Sequence, residues 1–144
     1  MADGLQEKSI RVTVITPVRT VLDQKVWSAV LPAFDGEWAI FPGHAAFMAL
    51  LGCGRLTVSM PDGQRRRLAI RGGFLQVRDN VVTVLTPQSA RPEELDASAL
   101  AQEQQALSAE RPTEEQREAH QERLAWLRAR QRVLESTLTQ AAAL

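Results

Sequence analysis

The stretch Leu68-Ala69-Ile70-Arg71-Gly72-Gly73-Phe74-Leu75-Gln76-Val77, with Asn80-Val81-Val82-Thr83-Val84-Leu85 close behind it, decides the fold class. Apolar residues recur at every second position, at Leu68 and Ile70, Leu75 and Val77, Val82 and Val84, which is the period of a half-buried strand. Gly72-Gly73 and Asp79-Asn80 punctuate these runs and read as turns, because glycine accepts positive φ freely and Asp and Asn cap their own backbone. Upstream the alternation repeats in Ile10-Val12-Val14, Val26-Ser28-Val30 and Leu56-Val58-Met60, with further turn signals at Asp35-Gly36 and Pro61-Asp62-Gly63. Short strands without interleaved helices predict an antiparallel β-sandwich of about eight to ten strands. The missing crossovers exclude a parallel sheet.

Downstream of Thr86 the composition changes. All eight glycines lie before it, as do 21 Val, Ile and Thr residues, against four in the rest of the chain, where twelve Ala and eight Gln take their place. Branched side chains suit pleated strands, whereas Ala, Gln, Glu, Arg and Leu lose little rotamer freedom in a helix. The fold class is therefore β + α: a sandwich over residues 1–86, then a two-helix hairpin over residues 87–144. The first helix is expected over 93–109, broken by Glu110-Arg111-Pro112, and the second from Thr113, which forms a capping box with Gln116. At 100° per residue, Leu124, Leu127, Gln131, Leu134 and Leu138 fall within about 80° of arc, a seam for the first helix, while Trp126 and Val133 project from the opposite face. The first helix offers Leu95, Ala99, Leu100, Ala106 and Leu107 in return. So small an apolar surface predicts a hairpin that can detach.

Charge and composition exclude several classes. The 144 residues carry 17 Lys plus Arg and 17 Asp plus Glu, so no net field draws nucleic acid or anionic lipid. One cysteine, Cys53, rules out an internal disulfide framework and fits a reducing compartment. Met1 to Ile10 is polar, and the longest apolar run, Ala45 to Leu51, has seven residues, against the ~20 of a membrane helix. The expectation is a soluble protein on the cytosolic side.

Catalytic chemistry finds few parts. His44 and His120 are the two imidazoles, and His120 stands among Arg117, Glu118, Gln121 and Glu122, a solvated helix position. No phosphate loop, clustered metal ligands or nucleophile with its base is visible, so neither cofactor nor metal is expected and the chain is read as no enzyme. Arg65-Arg66-Arg67 reads as solvated hairpin surface, and Cys53 as a small packing residue. Two segments stand out. Asp35, Gly36, Glu37, Trp38, Phe41, Pro42, Gly43 and His44 crowd aromatics, a carboxylate and an imidazole around turn residues. Arg123, Arg128, Arg130 and Arg132 place a charge of +4 over ten residues, either snorkelling over the helical seam or facing an acidic protein partner.

The ordered series Gly36-Glu37, Phe41-Pro42-Gly43-His44-Ala45, Leu68 to Val77 and Asn80 to Leu85, followed by the helical tail, closely resembles the epsilon subunit of bacterial and chloroplast F-type ATP synthases. The resemblance implies a central-stalk (rotor) subunit without catalysis of its own. A sandwich docking domain would be clamped to the gamma subunit and the membrane-embedded c-ring. A mobile regulatory hairpin would reach the alpha/beta catalytic head and restrain ATP hydrolysis. It places Asp35, Gly36, Glu37, Phe41, Pro42, Gly43 and His44 at the c-ring and gamma contact, and sets Arg123, Arg128, Arg130 and Arg132 against the beta subunits. The location implied is the cytoplasmic face of the bacterial inner membrane, peripheral and held only through the complex. Trp38-Ala39 stands where the family more often has Leu-Gly. At Leu95-Asp96-Ala97-Ser98-Ala99-Leu100, Ala99 replaces the arginine of the family's nucleotide motif, so no bound ATP is expected. The competing reading is a free-standing β-sandwich binding module with an oligomerising helical tail, using Trp38 and Phe41 as its ligand surface.

Overall fold

A computed structural model describes residues 9–142. The polar segment Met1–Lys8, on which the reading of the N-terminus partly rests, lies outside the described residues, as do Ala143 and Leu144. Eight strands form one sheet: β1 (Ile10–Ile15), β2 (Thr20–Val26), β3 (Ser28–Ala33), β4 (Gly36–Ile40), β5 (Phe47–Ser59), β6 (Arg65–Arg78), β7 (Val81–Leu85) and β8 (Ser89–Ala90). The strand order is β2-β1-β7-β6-β5-β3-β4, with β8 on β6. A 3₁₀ turn at Pro92–Glu94 leads to two helices, α1 (Ala97–Ala109) and α2 (Arg117–Ala142).

The alternating positions fill one core. Ile10, Val12 and Val14 of β1, Leu31 of β3, Ile40 of β4, Leu56 and Val58 of β5, Ile70, Leu75 and Val77 of β6, and Val82 and Val84 of β7 are all buried and share one cluster. With Val21 and Val26 of β2 in the same cluster, side chains from seven strands of one sheet meet, which they do only if the sheet folds back on itself into the two leaves of the expected sandwich. Each such side chain stabilises the fold by about 1.5–3 kcal/mol relative to leaving it exposed. Every described pairing is antiparallel except β1 with β7, which run parallel from Arg11↔Val81 to Ile15↔Leu85. That pair escapes the sequence argument because its connection is the whole run of intervening strands rather than a crossover helix.

Gly72-Gly73 does not separate two strands. It lies inside β6, with both residues at positive φ (69° and 113°), and Gly52 stands unpaired opposite it in β5. The facing of β6 changes here without any slip in register, since Leu51↔Gly73 and Cys53↔Arg71 leave Gly52 opposite Gly72, so that Leu68 and Ile70 point inward before these glycines and Leu75 and Val77 after them. Asp79 and Asn80 do form the expected two-residue hairpin turn, both with positive φ (51° and 62°).

The helical part also starts later than its sequence suggests. Residues 92–94 form the 3₁₀ turn, and α1 begins at Ala97 because the Asp96 side chain accepts from the Ser98 amide and caps it there. At α2, the Gln116 side chain reaches back to the Thr113 amide as expected (3.2 Å), but the helix itself begins at Arg117.

A side chain at Gly73 is the most costly single change predicted for this sheet. A Cβ there would stand 2.0 Å from the Leu85 carbonyl oxygen. Gly73→Ala should lower the unfolding free energy by at least ~2 kcal/mol, seen as a lower urea midpoint, since strained φ alone costs ~1–3 kcal/mol. An unchanged midpoint would show that the backbone at Gly73 can relax away from Leu85.

Candidate docking surfaces

The outward face of the long β5–β6 ribbon is divided at Gly52 and Gly72-Gly73. On the Arg65 side α2 covers it: Trp126, Ala129 and Val133 pack on Ala69, with Cys53, Ala90 and Leu95 around them. Trp126 is 4% exposed. The leucine seam meets α1 as its spacing predicts, with Leu127 buried on Leu100 and Leu107, and Leu124 and Leu134 at the margin. Gln131 donates to Gln104 within the same seam (2.9 Å). The seam stops short of Leu138, which is 59% exposed. Ala99 and Ala106 are also exposed, so α1 buries only Leu100 and Leu107.

Guanidinium groups fix this arrangement. Arg71 of β6 grips Glu122 with two hydrogen bonds of 2.6 Å and lies 5.8 Å from the Trp126 ring. Arg130 lies 5.0 Å from the same ring and forks onto Glu103 of α1. Arg123 forks onto Glu110 (3.1 and 2.8 Å). His120, expected in solvent, instead closes the hairpin: its side chain is largely covered, with Nε2 3.0 Å from the Leu107 carbonyl and 3.3 Å from the Glu110 carboxylate. Of the four arginines singled out on α2, Arg123 and Arg130 thus have carboxylate partners inside the hairpin. Arg128 and Arg132 are exposed along a groove shared with Cys53 and Glu135. Burial and the nearby Glu122 carboxylate push the Cys53 thiol up, away from reactive thiolate, as suits a packing residue.

On the other side of these glycines the outward face is open and apolar. Leu50, Phe74 and Leu85 are direct cross-strand partners on β5, β6 and β7, and all three are exposed. Met48 adds to the row on β5, and Phe34, 85% exposed, is joined to it through its amide, which donates to the Leu50 carbonyl. Scattered exposed apolar residues are ordinary, but a contiguous row of this kind marks an interaction site.

The turn residues border this open face. Phe34-Asp35 forms the β3–β4 turn, with Gly36 at φ 139° and Asp35, Gly36 and Glu37 exposed. In the loop from Phe41 to His44 the His44 amide donates to the Phe41 carbonyl, and the Gly43 amide donates to Asn80 Oδ1 (2.7 Å), which ties the loop to the β6–β7 hairpin. Phe47 brings the two segments together: its ring lies 5.1 Å from Trp38 and 4.9 Å from His44. Phe41 is exposed and Pro42 half-buried. Met48, Leu50, Phe74 and Leu85 were not among the candidate site residues read from the sequence. The readable signal was an apolar residue at the outward position of an alternating strand.

A sandwich with one open apolar half-face and one half-face covered by a two-helix hairpin defines the class: a β-sandwich domain with a C-terminal helical hairpin. Residues 9–92 match the family model described as ATP synthase, delta/epsilon chain, beta-sandwich domain, and the chain belongs to that family. The ATP synthase epsilon chain of Pelotomaculum thermopropionicum is 34% identical over 94 residues, 65% of this chain and 69% of that one. That of Rhodopirellula baltica is 42% identical over 88 residues, 61% and 68% of the two chains. The matched segments span about two thirds of these relatives. Among solved structures, a chain of the Euglena gracilis mitochondrial ATP synthase (OSCP/F1/c-ring) aligns with a TM-score of 0.76 and 26% identity, covering 91% of this chain and 82% of its own. A chain from the Tetrahymena thermophila mitochondrial ATP synthase central stalk and c-ring shares the fold, with a TM-score of 0.64 at 17% identity.

The hairpin's attachment should respond to pH through Glu122. The Arg71 hydrogen bonds, against the opposing effect of burial, hold its carboxyl below the usual range. A carboxyl lowered in the folded state stabilises fully above its unfolded value and loses that contribution as pH falls through the lowered one. Because both side chains are partly solvated, the effect is below about 1 kcal/mol. Amide exchange in α2, corrected for intrinsic rates, should therefore accelerate as pH falls below the ordinary carboxyl value of 4.5, and Glu122→Gln should remove most of the difference. Trp126→Ala should act more strongly, loosening α2 by ~3–5 kcal/mol while exchange in β1 and β7 stays unchanged.

Proposed function

We propose that this chain is a non-catalytic rotor subunit of an ion-translocating ATP synthase, whose strands grip a gamma subunit and the c-ring and whose helices restrain ATP hydrolysis. The observation that carries the reading is the open apolar row Leu50-Phe74-Leu85, flanked by Met48 and Phe34 and running into the Asp35-Gly36-Glu37 turn. A surface so apolar favours a permanent protein partner, and the gamma subunit is assigned to it together with Phe41, Pro42, Gly43 and His44. The charged, rigid tip Asp35-Gly36-Glu37 is assigned to the polar loops of the c-ring. Membrane association is through the complex alone, on the cytoplasmic face of the bacterial membrane. No helix among the described residues is long and apolar enough to cross one.

The docking role belongs to the sandwich, divided at Thr86 in the sequence, and the regulatory role to the hairpin that follows. The weak grip of α1, with two buried leucines, supports a two-state hairpin, since a marginal element is readily biased by a partner that prefers one state. When the helices rise, Arg123 and Arg130 exchange Glu110 and Glu103 for carboxylates of the beta subunits, joined by Arg128 and Arg132. This exchange of charge pairs restrains rotation.

Two measurements test the reading. Leu50→Glu with Phe74→Glu changes only exposed positions, so the fold should hold while affinity for the gamma subunit falls roughly a hundredfold, as a buried unpaired charge costs ~3 kcal/mol. Truncation after Glu94 should leave assembly intact and raise ATP hydrolysis severalfold. Undiminished binding by the double variant would remove the apolar row from the interface, and parental hydrolysis by the truncated complex under every nucleotide condition would remove the brake.

A further inference from the structure

The open half-face carries its outward side chains in rows that run across the strands. Pairing of Ile15 with Leu85, Leu85 with Phe74 and Phe74 with Leu50 makes the first row, over β1, β7, β6 and β5. Ile15 is half-buried and the other three are exposed. The next outward positions give a second row, Thr13, Thr83, Gln76 and Met48, and a third, Arg11, Val81 and Arg78. The first row is apolar throughout. The second is polar up to Met48, and in the third Val81 stands between two guanidiniums. Along β6 and β7 the apolar surface is interrupted, since Phe74 stands two residues from Gln76 and Leu85 two from Thr83. It is a stripe one residue wide, laid across four strands.

The spacing of this stripe selects the element that fits it. Neighbouring strands lie about 4.8 Å apart, so its three gaps span about 14 Å. A helix offers a side chain per turn along one face, and three turns of about 5.4 Å cover about 16 Å. An extended segment offers same-face side chains about 6.8 Å apart, so three intervals cover about 20 Å and its anchors fall out of step. A partner sheet aligned with these strands would read each of them lengthwise, across alternating apolar and polar positions, and an orthogonal sheet would bring the same mismatched extended spacing. Successive rows are about 7 Å apart, so a helix about 10 Å across, seated on the first row, also meets the second, while the third lies about 14 Å away, beyond its edge.

We infer that the partner element seated on this face is an amphipathic α-helix lying across the strands. Its apolar side chains, at steps of three and four residues, rest on Ile15, Leu85, Phe74 and Leu50, and its polar flank faces Thr13, Thr83 and Gln76. About eleven residues of helix span the row. Phe34, whose amide donates to the Leu50 carbonyl, closes the far end. With the gamma subunit as the partner, a reading on which this inference rests, the helix is one of that subunit's own.

Affinity of the full chain for the purified gamma subunit of the same synthase tests this, together with photocrosslinking from p-benzoylphenylalanine placed at Leu50, Phe74 or Leu85 in turn. Leu85→Ala and Leu50→Ala should each weaken binding roughly tenfold, and Val81→Ala, on the same strand as Leu85, by less than about twofold. Crosslinks from the three positions should fall in order on gamma residues three or four apart. A loss at Val81 equal to that at Leu85 overturns the helix, because the partner would then run along the strands. Unchanged binding by both leucine variants overturns it too, as do crosslinks two residues apart or scattered over distant segments. If the parent chain binds no gamma subunit, the assignment of that partner falls and the helix with it, so the parent measurement tells the two failures apart.

Discussion

The close approach of the Gly73 backbone to the Leu85 carbonyl is the constraint on which the rest of the molecule depends. It leaves no room for a Cβ, and it lets one long strand leave β8 and join β7 without breaking. With Gly52 opposite, it shifts the facing of both β5 and β6, so that Leu56, Val58, Leu68 and Ile70 on one side and Leu51, Leu75 and Val77 on the other enter the same core. The same shift turns Phe74 outward. Its removal would send Phe74 into the core and Leu75 into solvent, reversing what each face offers.

The division of the outer face follows from this. One half carries small or polar residues, Cys53, Ala69 and Arg71, over which Trp126 and Val133 can lie. The other carries Leu50, Phe74 and Leu85, which no described residue covers. The covered half is held by a few specific devices, a buried tryptophan flanked by two guanidiniums and three forked arginine–carboxylate pairs, rather than by a broad apolar seam. Partly solvated ion pairs contribute little each. Their value here is geometric, fixing where a lightly packed hairpin rests.

Much of this was legible in the sequence. The period-two runs gave the core strands, and the change at Thr86 gave the helices, because both signals are local. The leucine seam was readable for the same reason, although Leu138, Ala99 and Ala106 stay exposed and the contact narrows to Leu127 on Leu100 and Leu107. What the sequence concealed depends on contacts between distant segments. Gly72-Gly73 looks like any turn until Leu85 is placed beside it. Phe34, in the β3–β4 turn, and Phe74, out of phase with Leu75 and Val77, come to share one surface only when β3, β5 and β6 are placed side by side. His120 reads as solvated because Leu107 and Glu110, which enclose it, stand ten or more residues away. Arg123 and Arg130 read as free charge for the same reason, their carboxylate partners lying on the preceding helix and the loop after it.

The short segment between sandwich and hairpin is anchored on one side only. Arg19 holds Glu94, Arg91 holds the Val21 carbonyl, and the Arg91 amide bonds Glu94, so the 3₁₀ turn is part of the sandwich. Asp96 already caps α1. Leu95 alone lies between these fixed points, packed into both helical clusters. A hairpin leaving the sheet therefore has a fulcrum one residue wide, and α2, 26 residues at ~1.5 Å each, is a lever of about 39 Å. A small change of backbone angle at that one leucine would be multiplied along a helix of that length.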